Sequence, residues 1–388
     1  MNQDTTNAFV QEIMLDFAHH TGLEPADPHS RRYLWTDAFA VFNYLELFIR
    51  TKDKIYRDLS LRLVDQVHHT LDRYRDDDSR HGWISGFDEQ VGERHPTGGG
   101  LRIGKRLNER RPDEPPNERM EWDQDGQYYH YLTKWMHALN RVSQIAGDAI
   151  YTRWAIELAK IAHARFTYVP PSGGRKRMHW KMSIDLTYPV VLSMGQHDPL
   201  DGFVTYNELK ANAIRDLGEM PPLDLENEIA DMAEICQGIG LTTDDPLGIG
   251  GLLFDASRIA QLMIRDQLKN AELLESVLNS ALLGLEAFVM DETLDYPAEY
   301  RLAFRELGLS IGFSAVENLL KWIEKNPSLF GHESSVLEDL MEYMPLREKI
   351  ERFWQDDTNR NASTWIQHRD INMIMLATSL APSQFLRI

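Results

Sequence analysis

Residues 33–49 read YLWTDAFAVFNYLELFI, and residues 301–323 read RLAFRELGLSIGFSAVENLLKWI. Both stretches are apolar around nearly the whole circumference of a helix, and residues 365–380, WIQHRDINMIMLATSL, share this pattern. A helix without a polar face must be surrounded by protein. These three segments therefore predict the inner helices of a large helical core.

Amphipathic segments alternate with the apolar ones along the chain. Residues 55–74 carry apolar side chains at helical spacing with Arg and Asp between them. The same pattern recurs at residues 6–20, 148–166, 269–290 and 334–354. These segments predict outer helices with one face in water.

Pairing the two kinds of segment predicts the fold class. The inner segments begin near Tyr33, Trp122, Pro189, Gly248, Arg301 and Trp365, which gives six pairs. The third pair is the least regular, because its inner segment is short and residues 207–237 are interrupted by Pro221 and Pro222. We expect an all-α protein, a single (α/α)6 toroid domain over residues 1–388 in which outer and inner helices alternate.

Two segments depart from the helical pattern. In residues 178–188 apolar and polar residues alternate strictly, which is typical of a strand, so residues 165–188 predict a β-hairpin. Pro189 would then open the third inner helix at its favoured first position. Residues 76–121 are rich in Gly, Pro and charge, and we expect an ordered loop that covers one mouth of the toroid together with the hairpin.

Composition excludes several classes of partner. Sixty acidic against 41 basic residues give a net charge of −19, which repels nucleic acids and anionic membranes. Cys236 is the single cysteine, so an internal disulfide and a multi-cysteine metal site are excluded, and a reducing compartment fits best. No signal peptide and no apolar run of a membrane span's length stand out, so we expect a cytoplasmic protein.

Two weak motifs do not predict a cofactor. Gly99, Gly104 and Lys105 have the P-loop spacing, but Arg106 stands where Ser or Thr should hold Mg²⁺ and no apolar strand precedes them. The segment from His197 to Asp201 could bind a divalent cation, although a turn is the commoner meaning of HDPLDG. We therefore expect no metal and no cofactor.

Clusters of aromatic and acidic residues mark the starts of the inner helices. If the inner helices are parallel, these clusters converge at one mouth. Indole faces bordered by carboxylates, amides and Arg suit a polyhydroxylated ligand, although Asp and Thr at helix starts also serve as caps. The candidate substrate-binding residues are Trp35, Trp83, Trp122, Asp123, Gln127, Tyr128, His130, Trp180, Lys181, His197, His368, Arg369 and Asp370.

With this pattern, the chain resembles the six-hairpin glycosidase-like superfamily, which includes glycoside hydrolases, polysaccharide lyases and N-acylglucosamine 2-epimerases. The resemblance covers the whole chain and is one of architecture, since no family-specific catalytic motif is present. It implies that a sugar binds where the inner helices begin, and that an oligosaccharide or other small molecule is the partner.

Three functions follow from these residues. Our first hypothesis is a glycoside hydrolase with Asp125 and Asp185 as acid and base, with Asp37, Asp123, Asp198 and Asp370 as rivals. The second is a cofactor-free sugar epimerase using His130 and His368, with His179 and His197 also available. The third is a non-catalytic carbohydrate-binding protein.

Overall fold

The computed structural model describes residues 3–27, 30–115, 117–216, 224–330 and 333–388. The helices of the first half are α1 (Gln3–His20), α2 (Leu34–Thr51), α3 (Lys54–Leu71), α4 (Glu89–Arg94), α5 (Glu118–Glu121), α6 (Tyr129–Ala146), α7 (Ile150–Phe166) and α8 (Asp198–Asp216). Those of the second half are α9 (Glu226–Cys236), α10 (Pro246–Ile264), α11 (Ala271–Met290), α12 (Ala303–Lys325), α13 (Glu333–Met341), α14 (Pro345–Gln355), α15 (Asp357–Arg360), α16 (Ser363–Gln367) and α17 (Arg369–Leu380).

The strands are short and lie in one part of the chain. They are β1 (Gln127–Tyr128), β2 (Thr167–Tyr168), β3 (Arg177–Met178), β4 (Lys181–Met182) and β5 (Pro189–Val191). β4 lies between β1 and β5 in an antiparallel sheet, and β2 pairs with β3. The chain divides into two compact units, residues 18–239 and residues 1–17 with 240–388. Whether the two act as the single domain expected from the sequence stays a prediction.

In the unit of residues 18–239, three helical hairpins lie side by side. Each pairs an inner helix with the outer helix that follows it, α2 with α3, α6 with α7 and α8 with α9, and the inner helices α2, α6 and α8 are neighbours. The hydroxyls of Tyr33 and Tyr131 are 2.7 Å apart at the starts of α2 and α6, and Phe42 meets His137 further along both. The inner helices are therefore parallel, as the sequence predicted for one set of helix starts.

The unit of residues 1–17 and 240–388 repeats this arrangement. α10, α12 and α17 are neighbours, with α11 beside α10 and α14 beside α12. Near the start of α12, the Phe304 amide donates to Asn372 of α17 (3.0 Å), and deeper in the helices Ser310 and Ser379 are hydrogen-bonded (2.8 Å). α12 and α17 are therefore parallel too. The segments that were apolar all round are buried along most of α2, α12 and α17.

The third inner helix begins later than the sequence predicted. Pro189 does not open a helix, because residues 189–191 form β5 against β4, and the helix begins at Asp198 instead. Residues 207–216, which were assigned to the outer partner, belong to the inner helix α8. The outer helix is α9, and Pro221 and Pro222 lie outside the described residues. The second inner helix similarly begins at Tyr129 rather than Trp122.

The alternating run of residues 178–188 is not one continuous strand. β2 and β3 form a short hairpin pair, with Thr167 opposite Met178. The chain then leaves the strand after β4 and turns, because Ser183 Oγ accepts the Thr187 amide and Leu186 has a positive φ of 58°. The alternation in sequence does not correspond to alternating burial, because the polar residues Lys181 and Ser183 are buried as well as Met182 and Ile184. The turn lets β5 return beside β4.

Residues 76–121 contain α4 and α5 and are otherwise irregular among the described positions. Trp83, Ile84, Leu101 and Ile103 are buried, so the segment has apolar anchors of its own. The Leu34 amide at the start of α2 donates to Ile103 O (3.0 Å), and the Ile103 amide donates to Gly126 O (2.8 Å). The segment is therefore packed beside the starts of two inner helices, and its function as a cover over a ligand stays a prediction.

Among the described residues, α10 and α11 are long and apolar enough to cross a membrane. The sequence analysis predicted no apolar run of that length. Of the apolar window, 78% is buried in α10 and 39% in α11. α10 is a core helix between α11 and α12, and α11 is amphipathic, with Glu272, Glu275 and Glu286 exposed. Buried packing accounts for the hydropathy of α10.

The crossing of α10 and α12 depends on glycine. A Cβ on Gly250 would lie 2.1 Å from Gly308 O, whereas a Cβ on Gly251 would have no atom within 4 Å. We expect Gly250→Ala to lower the free energy of unfolding by about 2–3 kcal/mol through overpacking. Gly251→Ala should raise it by up to about 1 kcal/mol through helix propensity. Urea unfolding of both variants checks this, and equal effects would contradict the close crossing.

Candidate active site at the starts of α2, α6 and α8

Aromatic rings surround the start of α6. The Trp35 ring on α2 lies 6.0 Å from the His130 ring and 5.2 Å from the Tyr131 ring, between centroids. Tyr128 stacks on His130 at 5.5 Å. The imidazole of His130 is thus packed among aromatic rings contributed by two inner helices and β1, and 28% of its side-chain surface stays exposed.

A glycine turn directs the chain into this cluster. Gly126 has φ 147°, and a Cβ there would lie 2.7 Å from the Met182 carbonyl oxygen. This close approach lets β1 pair with β4, with Gln127 opposite Met182 and Tyr128 opposite Lys181. α6 begins directly after β1, so the pairing fixes where Tyr128 and His130 point.

A row of stacked rings leads from His130 to solvent. Tyr128 stacks on Trp180 at 4.8 Å, and Trp180 meets Trp122 edge to face at 5.3 Å. Tyr128 is 3% exposed, whereas Trp122 is 57% exposed. The row therefore ends in an indole that offers a free face beside the site, the kind of surface on which a sugar ring stacks.

His130 faces the carboxyl group of Asp198 at the start of α8. The distance from His130 Nδ1 to Asp198 Oδ1 is 3.6 Å, slightly too long for a hydrogen bond. Burial lowers the pKa of His130 to about 4. Burial, reinforced by the negative charge of Asp201, raises the pKa of Asp198 to about 8. At neutral pH a neutral imidazole therefore faces a protonated carboxyl group.

An ion pair connects the same two helices one turn deeper. Lys134 Nζ lies 2.8 Å from both carboxylate oxygens of Asp201, and the Thr133 hydroxyl also donates to Asp201. His137 Nδ1 lies 2.7 Å from Glu208 at the next level. These contacts align α6 with α8, so that His130 is set opposite Asp198.

Three buried polar atoms next to His130 have no hydrogen-bond partner in the part of the chain that the structure describes. They are Trp35 Nε1, Tyr128 Oη and Asp198 Oδ2. A buried polar atom left unpaired costs roughly 1–3 kcal/mol, and such atoms are rare in native proteins. A donor, a hydroxyl and a carboxyl group around one imidazole are together suited to a ligand that carries several hydroxyls.

The pair that the sequence favoured for hydrolysis, Asp125 and Asp185, is held by arginines. Asp125 is fully buried and accepts hydrogen bonds from Arg102 Nη1 (2.9 Å) and the Gly104 amide (2.9 Å). Asp185 accepts from Arg80 Nη1 (2.9 Å). Burial opposes its charge, but hydrogen bonds from Thr187 and Ser183 and the charge of Arg80 lower its pKa. These contacts favour a structural role, and the catalytic assignment of the pair stays a prediction.

Four further candidates are built into the packing around the site. Gln127 is buried and bridges the Leu101 amide, Gly99 O and Ile184 O. Lys181 is buried and donates to Glu121 O and Gln124 O. Asp37 accepts the Tyr33 amide (2.9 Å) at the start of α2. Trp83 is 2% exposed, which leaves no ring face for a sugar, so it does not form the platform that the sequence suggested.

The remaining candidates lie on other segments of the chain, three of them in the other unit. Asp123 is exposed, and His197 directly precedes Asp198 in the turn before α8. His179 stacks on Tyr168 at 4.2 Å. In the other unit, His368 meets the Phe304 ring at 5.6 Å, Arg369 pairs with Asp16 at 2.7 Å, and Asp370 lies in the first turn of α17. Their roles stay predictions.

Sequence reasoning did not single out Lys134 and Tyr131. Lys134 follows His130 by one helical turn, and Asp201 follows Asp198 by three residues. Each pair therefore shares a helix face, and this spacing could have indicated the two sets of contacts between α6 and α8. From the sequence, Asp201 is one of the acidic residues of the clusters and a possible metal ligand. Lys134 occupies both of its oxygens, and a lysine charge there opposes a cation. Among the described residues no group of three or more His, Cys, Asp or Glu side chains is arranged to hold a metal.

No protein-family model and no curated protein sequence matches this chain. A search of solved structures finds the cellobiose 2-epimerase of Spirochaeta thermophila DSM 6192, with 11% identity, a TM-score of 0.50 and 98% of both chains covered. The chain has the (α/α)6 fold. A sugar epimerase from a ruminal bacterium also matches, with 12% identity, 87% of both chains and a TM-score of 0.42. At 11% identity, the first similarity shows the (α/α)6 fold and nothing about the reaction.

The raised pKa of Asp198 predicts a pH-dependent stability. The folded protein keeps a proton that the unfolded chain releases, so the contribution of Asp198 to stability should fall as pH rises from about 4 to about 8. Asp198→Asn removes this loss. We expect the advantage of the variant over wild type to be about 4 kcal/mol larger at pH 9 than at pH 5, because about three of the four pKa units lie above pH 5, at roughly 1.4 kcal/mol per unit.

Urea unfolding at both pH values measures this difference. Asp185→Asn is the matched control, because the pKa of Asp185 is lowered and its effect should be the same at pH 5 and pH 9. An equal effect of Asp198→Asn at the two pH values would contradict a buried, protonated Asp198.

Proposed function

We propose that this protein is a carbohydrate-active enzyme that epimerises or isomerises a reducing sugar without a cofactor, with His130 and Asp198 as its acid–base pair. The observation that carries the proposal is the uncharged His130 imidazole facing the Asp198 carboxyl group at 3.6 Å among aromatic rings. A group that removes a proton from carbon must be unprotonated, which for an imidazole is the neutral form, and one that protonates a carbonyl oxygen must hold a proton. Each group is in the form its role requires.

The proposed reaction moves protons without changing the oxidation level of the sugar overall. His130 takes the proton from the carbon next to the carbonyl of the open-chain sugar, and the C–H electron pair forms the carbon–carbon double bond of an enediol. The carbonyl oxygen takes the proton of Asp198. Epimerisation is completed when a proton from solvent reaches the opposite face of the same carbon, the new enediol hydroxyl returns its proton to Asp198, and His130 releases its proton to solvent. Isomerisation is completed when the neighbouring carbon takes the proton held by His130 and the hydroxyl on the carbon that lost its proton gives that proton to Asp198.

The surroundings of the pair support a sugar as substrate. Trp35 Nε1 can donate to a hydroxyl and Tyr128 Oη can donate or accept, and both are buried without a partner among the described residues. Trp122 offers an exposed ring for a sugar face. The similarity in fold to a cellobiose 2-epimerase is consistent with this reading and suggests reducing disaccharides as first substrates to test.

A glycoside hydrolase is the second candidate, because a carboxyl group that keeps its proton to about pH 8 is also suited to protonate a leaving glycosidic oxygen. Hydrolysis would further need a carboxylate that activates water. Asp201 is occupied by Lys134 and Thr133, and Asp125 and Asp185 by arginines, so the epimerase is the better-supported reading.

The cellular setting follows from composition and is also proposed. Cys236 is the single cysteine of the sequence, so the chain forms no internal disulfide, which fits a reducing cytoplasm. The net charge of −19 opposes binding to nucleic acid and to anionic lipid. We therefore propose a cytoplasmic enzyme whose partner is its saccharide substrate.

Incubation with reducing disaccharides, cellobiose among them, in D₂O tests the reaction. Epimerisation should place one deuterium on the carbon next to the carbonyl carbon without breaking the glycosidic bond, as read by NMR and mass spectrometry. His130→Asn should lower the rate by about 10²–10⁴-fold through loss of the base. His69→Asn is the control, because His69 is exposed and pairs with Glu93 away from the ring cluster.

Release of monosaccharides would instead support the hydrolase. Binding of oligosaccharides in calorimetry with neither exchange nor cleavage would support the non-catalytic carbohydrate-binding protein. Either result would overturn the epimerase.

A further inference from the structure

The Lys134–Asp201 ion pair is buried and well ordered next to Asp198, the proposed acid of the site. Both side chains are largely buried, with 11% and 7% of their surfaces exposed, and Nζ is equidistant from the two oxygens at 2.8 Å. The Thr205 hydroxyl, one turn further along α8, is a further donor to Asp201 (3.4 Å). A charged group with this many donors is held in one rotamer.

The pair also lies on the same helix faces as the proposed acid and base. Lys134 is four residues after His130 on α6, and Asp201 is three residues after Asp198 on α8. The His130–Asp198 pair and the Lys134–Asp201 pair therefore lie one helical turn apart between the parallel helices α6 and α8. A movement that separates Lys134 from Asp201 would also change the distance between His130 and Asp198, since the two pairs project from adjacent turns.

We propose that Lys134 and Asp201 are positioning residues that hold Asp198 opposite His130 and act on its carboxyl group with opposite charges. The effect of this pair on catalysis rests on the proposed function. The positioning of Asp198 does not, since it is a property of the folded protein.

The two members of the pair act on the site in opposite directions. The negative charge of Asp201 raises the pKa of both Asp198 and His130, and the positive charge of Lys134 lowers both. In the described part of the chain, the other titratable groups beside His130 and Asp198 include His197, which directly precedes Asp198, and the phenols of Tyr128, Tyr129 and Tyr131. Burial raises the pKa of Tyr128 and Tyr131, so they stay neutral in the range of interest. The ion pair therefore supplies the fixed charges next to the acid.

The test is a titration of Asp198 in the full-length protein by NMR of ¹³C-labelled aspartate carboxyl groups, with Asp198→Asn assigning its signal. Asp201→Asn should lower the midpoint by about one pH unit, and Lys134→Met should raise it by about as much. Lys134→Arg should restore the wild-type midpoint. Lys160→Met is the matched control, because it breaks the Lys160–Glu228 pair (3.1 Å) elsewhere in the same unit and should leave the midpoint unchanged.

A double variant guards against loss of folding. If Lys134→Met unfolds because Asp201 is left buried without its cation, Lys134→Met with Asp201→Asn keeps a neutral pair of similar size and should titrate between the two single variants. Shifts in the same direction for both single variants, or none, would overturn the proposal.

Enzyme assays give an independent readout. If epimerisation is found, the alkaline limb of the kcat profile should move with the Asp198 midpoint, and KM should change little. If no turnover is found in wild type, the proposed function fails, while the NMR titration still decides whether the ion pair positions Asp198.

Discussion

The alignment of α6 with α8 is the constraint on which the site depends. Burying an isolated charge is strongly unfavourable, so Lys134 and Glu208 require Asp201 and His137 as partners at one register only. A shift of one helix by a turn would leave these groups without those partners. Because that register is fixed, His130 and Asp198 meet at the helix starts without a strong bond of their own.

The aromatic surroundings of His130 and Asp198 determine the protonation states of these two groups. In water an imidazole and a carboxyl group this close would form an ion pair, whereas the ring cluster of Trp35, Tyr128 and Tyr131 disfavours both charged forms. Two polar atoms of these rings, Trp35 Nε1 and Tyr128 Oη, are buried without a partner among the residues that the structure describes. These unpaired atoms lower the stability of the free protein. They also leave polar groups available to a ligand beside two uncharged groups that can exchange a proton.

The fold could be predicted from the sequence because hydrophobic periodicity reports burial directly, as in α2, α12 and α17. The start of α6 could not, since it depends on Gly126 approaching the Met182 carbonyl, a contact between residues far apart in the chain. His130 and Asp198 were both candidates, but their pairing arises from two helices packed together. Asp125 is the first catalytic candidate from the sequence because of the residues next to it in the chain. Its arginine partner, Arg102, comes from the long irregular segment before it.

The row of rings that ends at Trp122 gives the protein a built-in optical reporter. Trp122 and Trp180 are 5.3 Å apart, close enough for their excited states to exchange energy, and Trp122 meets solvent while Trp180 rests on Tyr128. A molecule that covers the outer indole changes its hydration and thereby the colour of its emission. Occupancy of the site can therefore be followed by fluorescence without a label, and without a reaction taking place.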